Sequence, residues 1–258
     1  MHRFITSFKS LLGISILLLF ACNTSHTDDK PRVNHAENTP ITSTFAEQQE
    51  VQALIQPYRE KVTAEMDAVI GYATVNLDKA TGELNNAMTN FMADASYSQI
   101  LFWLEKTSID VRPDVVLLNY GGIRDVIPKG DIHTRHIYKL MPFENKLVMV
   151  QLKAETIQAM LDYLVNEAKA HPIYGMQIIL DDEGTLKSFK IAGKEFDENK
   201  SYWVLTNDYL LNGGDNMDFF KDNDSVIDTE YKLRNAILDY VQRFDSIVST
   251  SDERFVKR

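Results

Sequence analysis

The sequence predicts a mixed α/β domain of the α+β kind. Segments with apolar residues at three- and four-residue steps read as helices, and short apolar or alternating runs read as strands. The two kinds alternate without the strand–helix–strand rhythm of a doubly wound sheet, and no segment repeats at a fixed period. The composition allows this: 44% hydrophobic and 25% charged residues over 258 positions suffice for a real core and exclude disorder of the whole chain.

The N-terminus reads as an address. Residues 1–10 carry Arg3 and Lys9 and no acid, and residues 11–20 (LLGISILLLF) are uncharged and apolar. A spanning helix needs about 20 such residues, whereas this run has the length of a signal-peptide h-region. It ends Leu19-Phe20-Ala21-Cys22, which resembles a bacterial lipobox; a buried cysteine beside an apolar segment is the bland alternative. Residues 1–21 are expected to be a lipoprotein signal peptide and Cys22 the lipidation site. The mature protein is then lipid-anchored in the bacterial cell envelope, in the periplasm or at the cell surface. Cys22 is the sole cysteine, so no internal disulfide framework is possible. Residues 22–44 are polar, contain Pro31 and Pro40, and read as a flexible tether in which His26 and His35 are solvated.

Residues 45–258 are the expected folded domain. Residues 45–70 look helical, with Pro57 expected to kink or divide the helix and Gly71 to stop it. Residues 72–77 alternate and read as a strand. Residues 90–104 (NFMADASYSQILFWL) form a strongly apolar helix, and residues 114–119 (DVVLLN) a short buried strand. Residues 146–152 read as a strand and 154–168 as a helix with Ile157, Met160, Leu161 and Leu164 on one face. Strands follow at 177–180, 186–191 and 202–205, the first two separated by the turn Asp181-Asp182-Glu183-Gly184, and residues 231–248 form a closing helix.

The formal net charge is −10, and loss of residues 1–21 takes it to −12. That balance excludes binding along a nucleic-acid backbone, which needs clustered cations, but not capture of a small anion by one or two arginines.

Three segments carry candidate chemistry. In Asn119-Tyr120-Gly121-Gly122-Ile123-Arg124, paired glycines after an apolar run permit positive φ and close ligand approach. Asn119 offers a donor and an acceptor, and Arg124 a planar fork suited to phosphate or carboxylate. A tight turn with a surface arginine has the same shape. In Met141-Pro142-Phe143-Glu144-Asn145-Lys146, Phe143 either presents its ring or folds back on the core. In residues 207–215 (NDYLLNGGD), Tyr209 can stack on a ring and Asp215 can accept from a pair of sugar hydroxyls; alone, this is an Asn/Gly/Asp turn.

Taken together, NxGGIR, then PFxN roughly twenty residues on, then N-D-aromatic-x-x-N-G-G-D near the C-terminus resemble the C-terminal, substrate-binding domain of the 5′-nucleotidases and UDP-sugar hydrolases. The likeness spans residues 45–244 and includes TNFMADA at 89–95. It implies a layered helix–sheet domain that grips a nucleotide or nucleoside. Phe143 and Tyr209 match the two rings that sandwich the base, Asn145 the contact to the base edge and Asp215 the contact to the ribose hydroxyls. Arg124, beside Asn119, matches the phosphate contact, and Gly175 a glycine that leaves room near the ligand. Tyr209 stands where phenylalanine is commoner, and Tyr120 replaces a glycine of the usual NGGGIR run. Upstream, where the family places further arginines, this chain has TGELNN at 81–86 with Lys79 as the nearest cation.

The resemblance also implies a two-metal phosphoesterase domain in full-length relatives, with motifs such as DxHxH, GNHE and GHxH. None occurs here. The six histidines are His2, His26, His35, His133, His136 and His171, with no carboxylate pattern suited to a dinuclear site. No catalytic residue, metal site or cofactor is therefore expected in this chain. Divalent metals are expected on a separate metallophosphoesterase partner, without which the chain is inactive. The alternative is a nucleotide- or nucleoside-binding lipoprotein with no chemistry of its own.

Overall fold

The computed structural model describes residues 36–42, 47–244 and 246–258. The expected signal peptide, Cys22, His26 and His35 lie outside the described residues; residues 36–42 of the expected tether are exposed and lack regular secondary structure. Among the described residues, no helix is long and apolar enough to cross a membrane. The chain divides into two units, Met1–Gln52 and Ala53–Arg258, and the second contains the sheets and the core.

The first helix, α1 (Gln49–Asp67), runs through Pro57 undivided. The proline removes one backbone donor, but no residue of α1 is buried, so the freed carbonyl meets water. Gly71 is not the stop: it lies inside strand β1 (Val69–Ala73). A Cβ there would approach Val241 Cγ1 to 2.7 Å, so the glycine lets the closing helix pack on the strand.

Helix α2 (Ala87–Leu104) starts earlier than its apolar run because Asn86 caps it. The Asn86 side chain accepts from Thr89 N–H at 2.9 Å while the Thr89 hydroxyl accepts from Asn86 N–H, a reciprocal capping box. Strand β2 (Val115–Leu117) follows. Strand β3 (Gly130–His133) pairs with β1, and helix α3 (Thr134–Leu140) comes next. Then come β4 (Lys146–Leu152), α4 (Ala154–Glu167), β5 (Ile173–Tyr174), β6 (Met176–Leu180), β7 (Leu186–Ile191), β8 (Lys194–Glu195) and β9 (Tyr202–Asn207). After the short helix α5 (Asp208–Leu211), β10 (Ser225–Lys232) takes Tyr231 and Lys232 into a strand, so the closing helix α6 is shorter than its pattern, Leu233–Arg243. Strand β11 (Phe255–Lys257) ends the chain.

A five-stranded sheet, β10-β4-β9-β2-β5, is the centre of the domain; β11-β6-β7-β8 and β1-β3 form two smaller sheets. Both faces of the central sheet are buried. Leu147 and Met149 of β4 pack with Met88, Phe91, Met92, Ile237 and Val241 of α2 and α6. Val148, Val150 and Leu152 pack with Ile157, Met160, Leu161 and Leu164 of α4 and with Ile178 and Phe255 of the four-stranded sheet. Side chains alternate along a strand, so burial on both faces requires the unbroken run LVMV. The result is a layered mixed α/β domain.

Candidate functional site

Strand polarity brings the three candidate segments together. β2 and β9 are neighbours and parallel, so the turns after both emerge at one edge of the sheet. β4 lies on the other side of β9 and is antiparallel, with Leu147 opposite Asn207. The segment entering β4 therefore arrives at that same edge. There Asn119, Gly121, Gly122, Arg124, Phe143, Asn145, Tyr209 and Asp215 line a cleft of about 250 Å³.

Phe143 and Tyr209 are 38% and 45% exposed, and the Arg124 guanidinium lies 6.0 Å from the centre of the Phe143 ring. Tyr209 leans on the backbone of Gly214, where a Cβ would sit 2.4 Å from ring carbons. Its hydroxyl donates to Asp215 Oδ1 at 2.8 Å, and this bond holds the phenol above its usual pKa. Asn119 Nδ2 donates to the other oxygen of Asp215 at 2.7 Å. Tyr209, Asp215 and Asn119 thus form one unit, two of whose members come from the segment after β9 and one from the end of β2. Asp215 itself adopts a left-handed conformation, φ 52°, which aspartate tolerates better than most residues. The glycines of the first turn have no positive φ; what they supply is closeness. A Cβ on Gly121 would lie 2.9 Å from Asp215 Oδ2, and one on Gly122 2.9 Å from Asn119 Oδ1.

Two cations hold the loops. Lys79 does not reach into the cleft as a phosphate contact. Its Nζ donates to the carbonyls of Ile123 (2.6 Å) and Tyr120 (3.3 Å) and sits 4.3 Å from the centre of the Tyr120 ring. Burial and the nearby Arg124 charge lower its pKa. Arg234, buried in the first turn of α6, donates to the Phe143 carbonyl at 3.2 Å, pairs with Glu144 and covers the Tyr138 ring at 4.5 Å. Hydrogen bonds from Lys232 and Arg234 bring the Glu144 carboxyl down to about 2. Arg234 thereby fixes the loop that carries Phe143 and Asn145, a role visible only once β10 and β4 are paired.

Six of the seven candidate residues meet at this cleft; Gly175 does not. It turns the chain from β5 into β6 with φ +76°, and a Cβ there would lie 2.2 Å from the carbonyl oxygen of Asp114, beside the far end of β2 from Asn119. The room it leaves is for backbone.

Among the described residues, no three His, Cys, Asp or Glu side chains converge on a point. The Nδ1 atoms of His133, His136 and His171 face the backbone of Asp67, His133 and Tyr120 respectively.

The family model for the 5′-nucleotidase C-terminal domain matches residues 69–222, well over half of the chain. Protein UshA of Escherichia coli K12 is 24% identical over 214 residues, covering 81% of this chain and 37% of that protein. A 5′-nucleotidase of Vibrio cholerae is 23% identical over 211 residues, covering 78% and 35%. Among solved structures, the 5′-nucleotidase precursor from Thermus thermophilus aligns with a TM-score of 0.66 at 23% identity, over 81% of this chain and 43% of that one. The chain spans little more than a third of the length of these sequence relatives.

Proposed function

The chain belongs to the family of 5′-nucleotidase C-terminal domains, and from that premise we propose that it is the nucleotide-recognition part of a 5′-nucleotidase-type phosphohydrolase. A separate metallophosphoesterase supplies the divalent metals. The reading rests above all on the cleft, where two half-exposed rings, an acid held by its neighbours and a guanidinium meet at one sheet edge. Phe143 and Tyr209 sandwich the base, Asn145 meets its edge, Asp215 accepts from the ribose hydroxyls, and Arg124 with Asn119 meets the phosphate. Stacking suits the task because every base offers a π-face. The protein is lipid-anchored through Cys22 in the cell envelope.

One observation favours a second reading, a lipoprotein that binds nucleoside or nucleotide without chemistry. Lys79 is committed to backbone carbonyls, which leaves the phosphate end of the cleft to Arg124.

Calorimetric titration of adenosine and AMP tests the binding common to both readings. Phe143→Ala and Tyr209→Ala should each weaken binding by about 1–3 kcal/mol. Unchanged affinity in both variants would remove the sandwich. The purified chain with Mg²⁺, Mn²⁺ or Zn²⁺ should release no phosphate from AMP. Release that survives repeated purification would overturn the need for a partner, and release restored by adding a metallophosphoesterase would decide for the split enzyme.

A further inference from the structure

A second cavity, of about 400 Å³, adjoins the cleft along Gly121 and Asp215, which line both. Its remaining wall is built from side chains that the base–ribose–phosphate reading does not use. Tyr120 stands on one side, braced by Lys79. Tyr163 stands on another, 5.7 Å from both the Phe219 and His171 ring centres, and its hydroxyl donates to the Asp215 carbonyl at 2.9 Å. Glu167 and Lys169 pair with each other at 2.5 Å.

Charge separates the occupants this cavity can take. The Glu167–Lys169 pair is neutral as a unit, and burial keeps the His171 imidazole uncharged at neutral pH. Asp215 leaves a net negative balance, so a phosphate group gains nothing here. Tyrosine rings with polar edges instead suit a neutral ring.

We infer that this cavity is a second subsite, taking a neutral ring carried on the 2′- or 3′-oxygen of a ribose held at Asp215. The inference rests on the ribose position given under the proposed function. Ligands of this class are nucleosides bearing a cyclic acyl or glycosyl group on a ribose hydroxyl.

The test compares adenosine with 2′(3′)-O-(N-methylanthraniloyl)adenosine on the full chain, by calorimetry and by emission of the anthraniloyl ring. The substituted nucleoside should bind about 3- to 10-fold tighter, the size of one ring–ring contact, with a blue-shifted emission. Tyr120→Gly should remove that gain, read as equal affinities for the two ligands within the same variant whatever their absolute values. The wild-type comparison and its emission shift stand whether or not the variant folds. Adenosine binding with equal or weaker binding of the substituted form would overturn the subsite and leave the proposed function intact. Binding of neither would overturn the proposed function, and the subsite with it.

Discussion

Gly175→Ala should lower the unfolding free energy by about 2–5 kcal/mol and leave the nucleoside affinity of the folded protein unchanged. Two costs add. The residue sits at φ +76°, where an L side chain pays about 1–2 kcal/mol. Its Cβ would also fall 2.2 Å from the Asp114 carbonyl oxygen, an overlap with backbone that no rotamer relieves. Overpacking of that kind costs about 1–3 kcal/mol. Asp114 has no slack to give: its carboxylate accepts from Trp203 N–H at 2.9 Å and its own N–H donates to the Trp203 carbonyl at 2.8 Å, tying β2 to β9. For a domain of this size the melting temperature should drop by about 4–20 °C. Thermal denaturation with parallel titration of adenosine separates the two roles open to this glycine. A variant with unchanged melting temperature and a tenfold loss of affinity would return Gly175 to the ligand.

The contrast between Gly175 and the other candidates shows what the sequence makes legible. The central strand β4 is readable because burial on both faces demands LVMV, a run that solvent-exposed structure rarely produces. The edge strand β10 hides because its outward side faces water. Asp228 and Glu230 interrupt it, and Glu230 adopts φ 54° where the pairing with β4 shifts register. Helix α2 starts at Ala87 for a reason the sequence does contain, the Asn86-x-x-Thr89 cap, but periodicity alone passes over it. In the cleft, single side chains that stack or accept are readable from motif spacing. Their supports are not: Lys79 and Arg234 act on carbonyls 44 and 91 positions away, and such pairs exist only once the sheets have formed. The Tyr209 hydroxyl, a small departure on sequence grounds, holds the acid beside it.

Lowering the pH from about 6.5 to about 4 should cost roughly 3 kcal/mol of stability through His171 alone. The imidazole is 3% exposed, its Nδ1 accepts from Tyr120 N–H at 3.2 Å, and its Nε2 is buried with no hydrogen-bond partner among the described residues. A proton added to Nδ1 would face that N–H and would put a charge in the interior. Burial therefore drives its pKa down to about 4. In the unfolded chain the same group titrates near 6.5. Between these values the unfolded state binds the extra proton and the folded state does not, so stability falls as pH falls and is fully retained above about 6.5. The displacement of about 2.5 pKa units gives the figure at about 1.4 kcal/mol per unit. A backbone hydrogen bond to Leu118, and after it Glu167 and Asp215, favour the charged form and Lys169 opposes it, but burial outweighs them. The group also anchors Tyr120, the first residue after Asn119 in the glycine turn, so nucleoside affinity should weaken over the same window. Denaturant unfolding at about pH 7 and about pH 4.5 checks this, with His171→Gln as control. The amide oxygen of the variant can still accept from Tyr120 but does not titrate. Carboxylates elsewhere contribute equally to both proteins and cancel in the difference. Wild type should lose more stability than the variant across the interval. Parallel curves would mean that His171 is protonated as easily in the fold as out of it, and that the glycine turn does not depend on its neutral form.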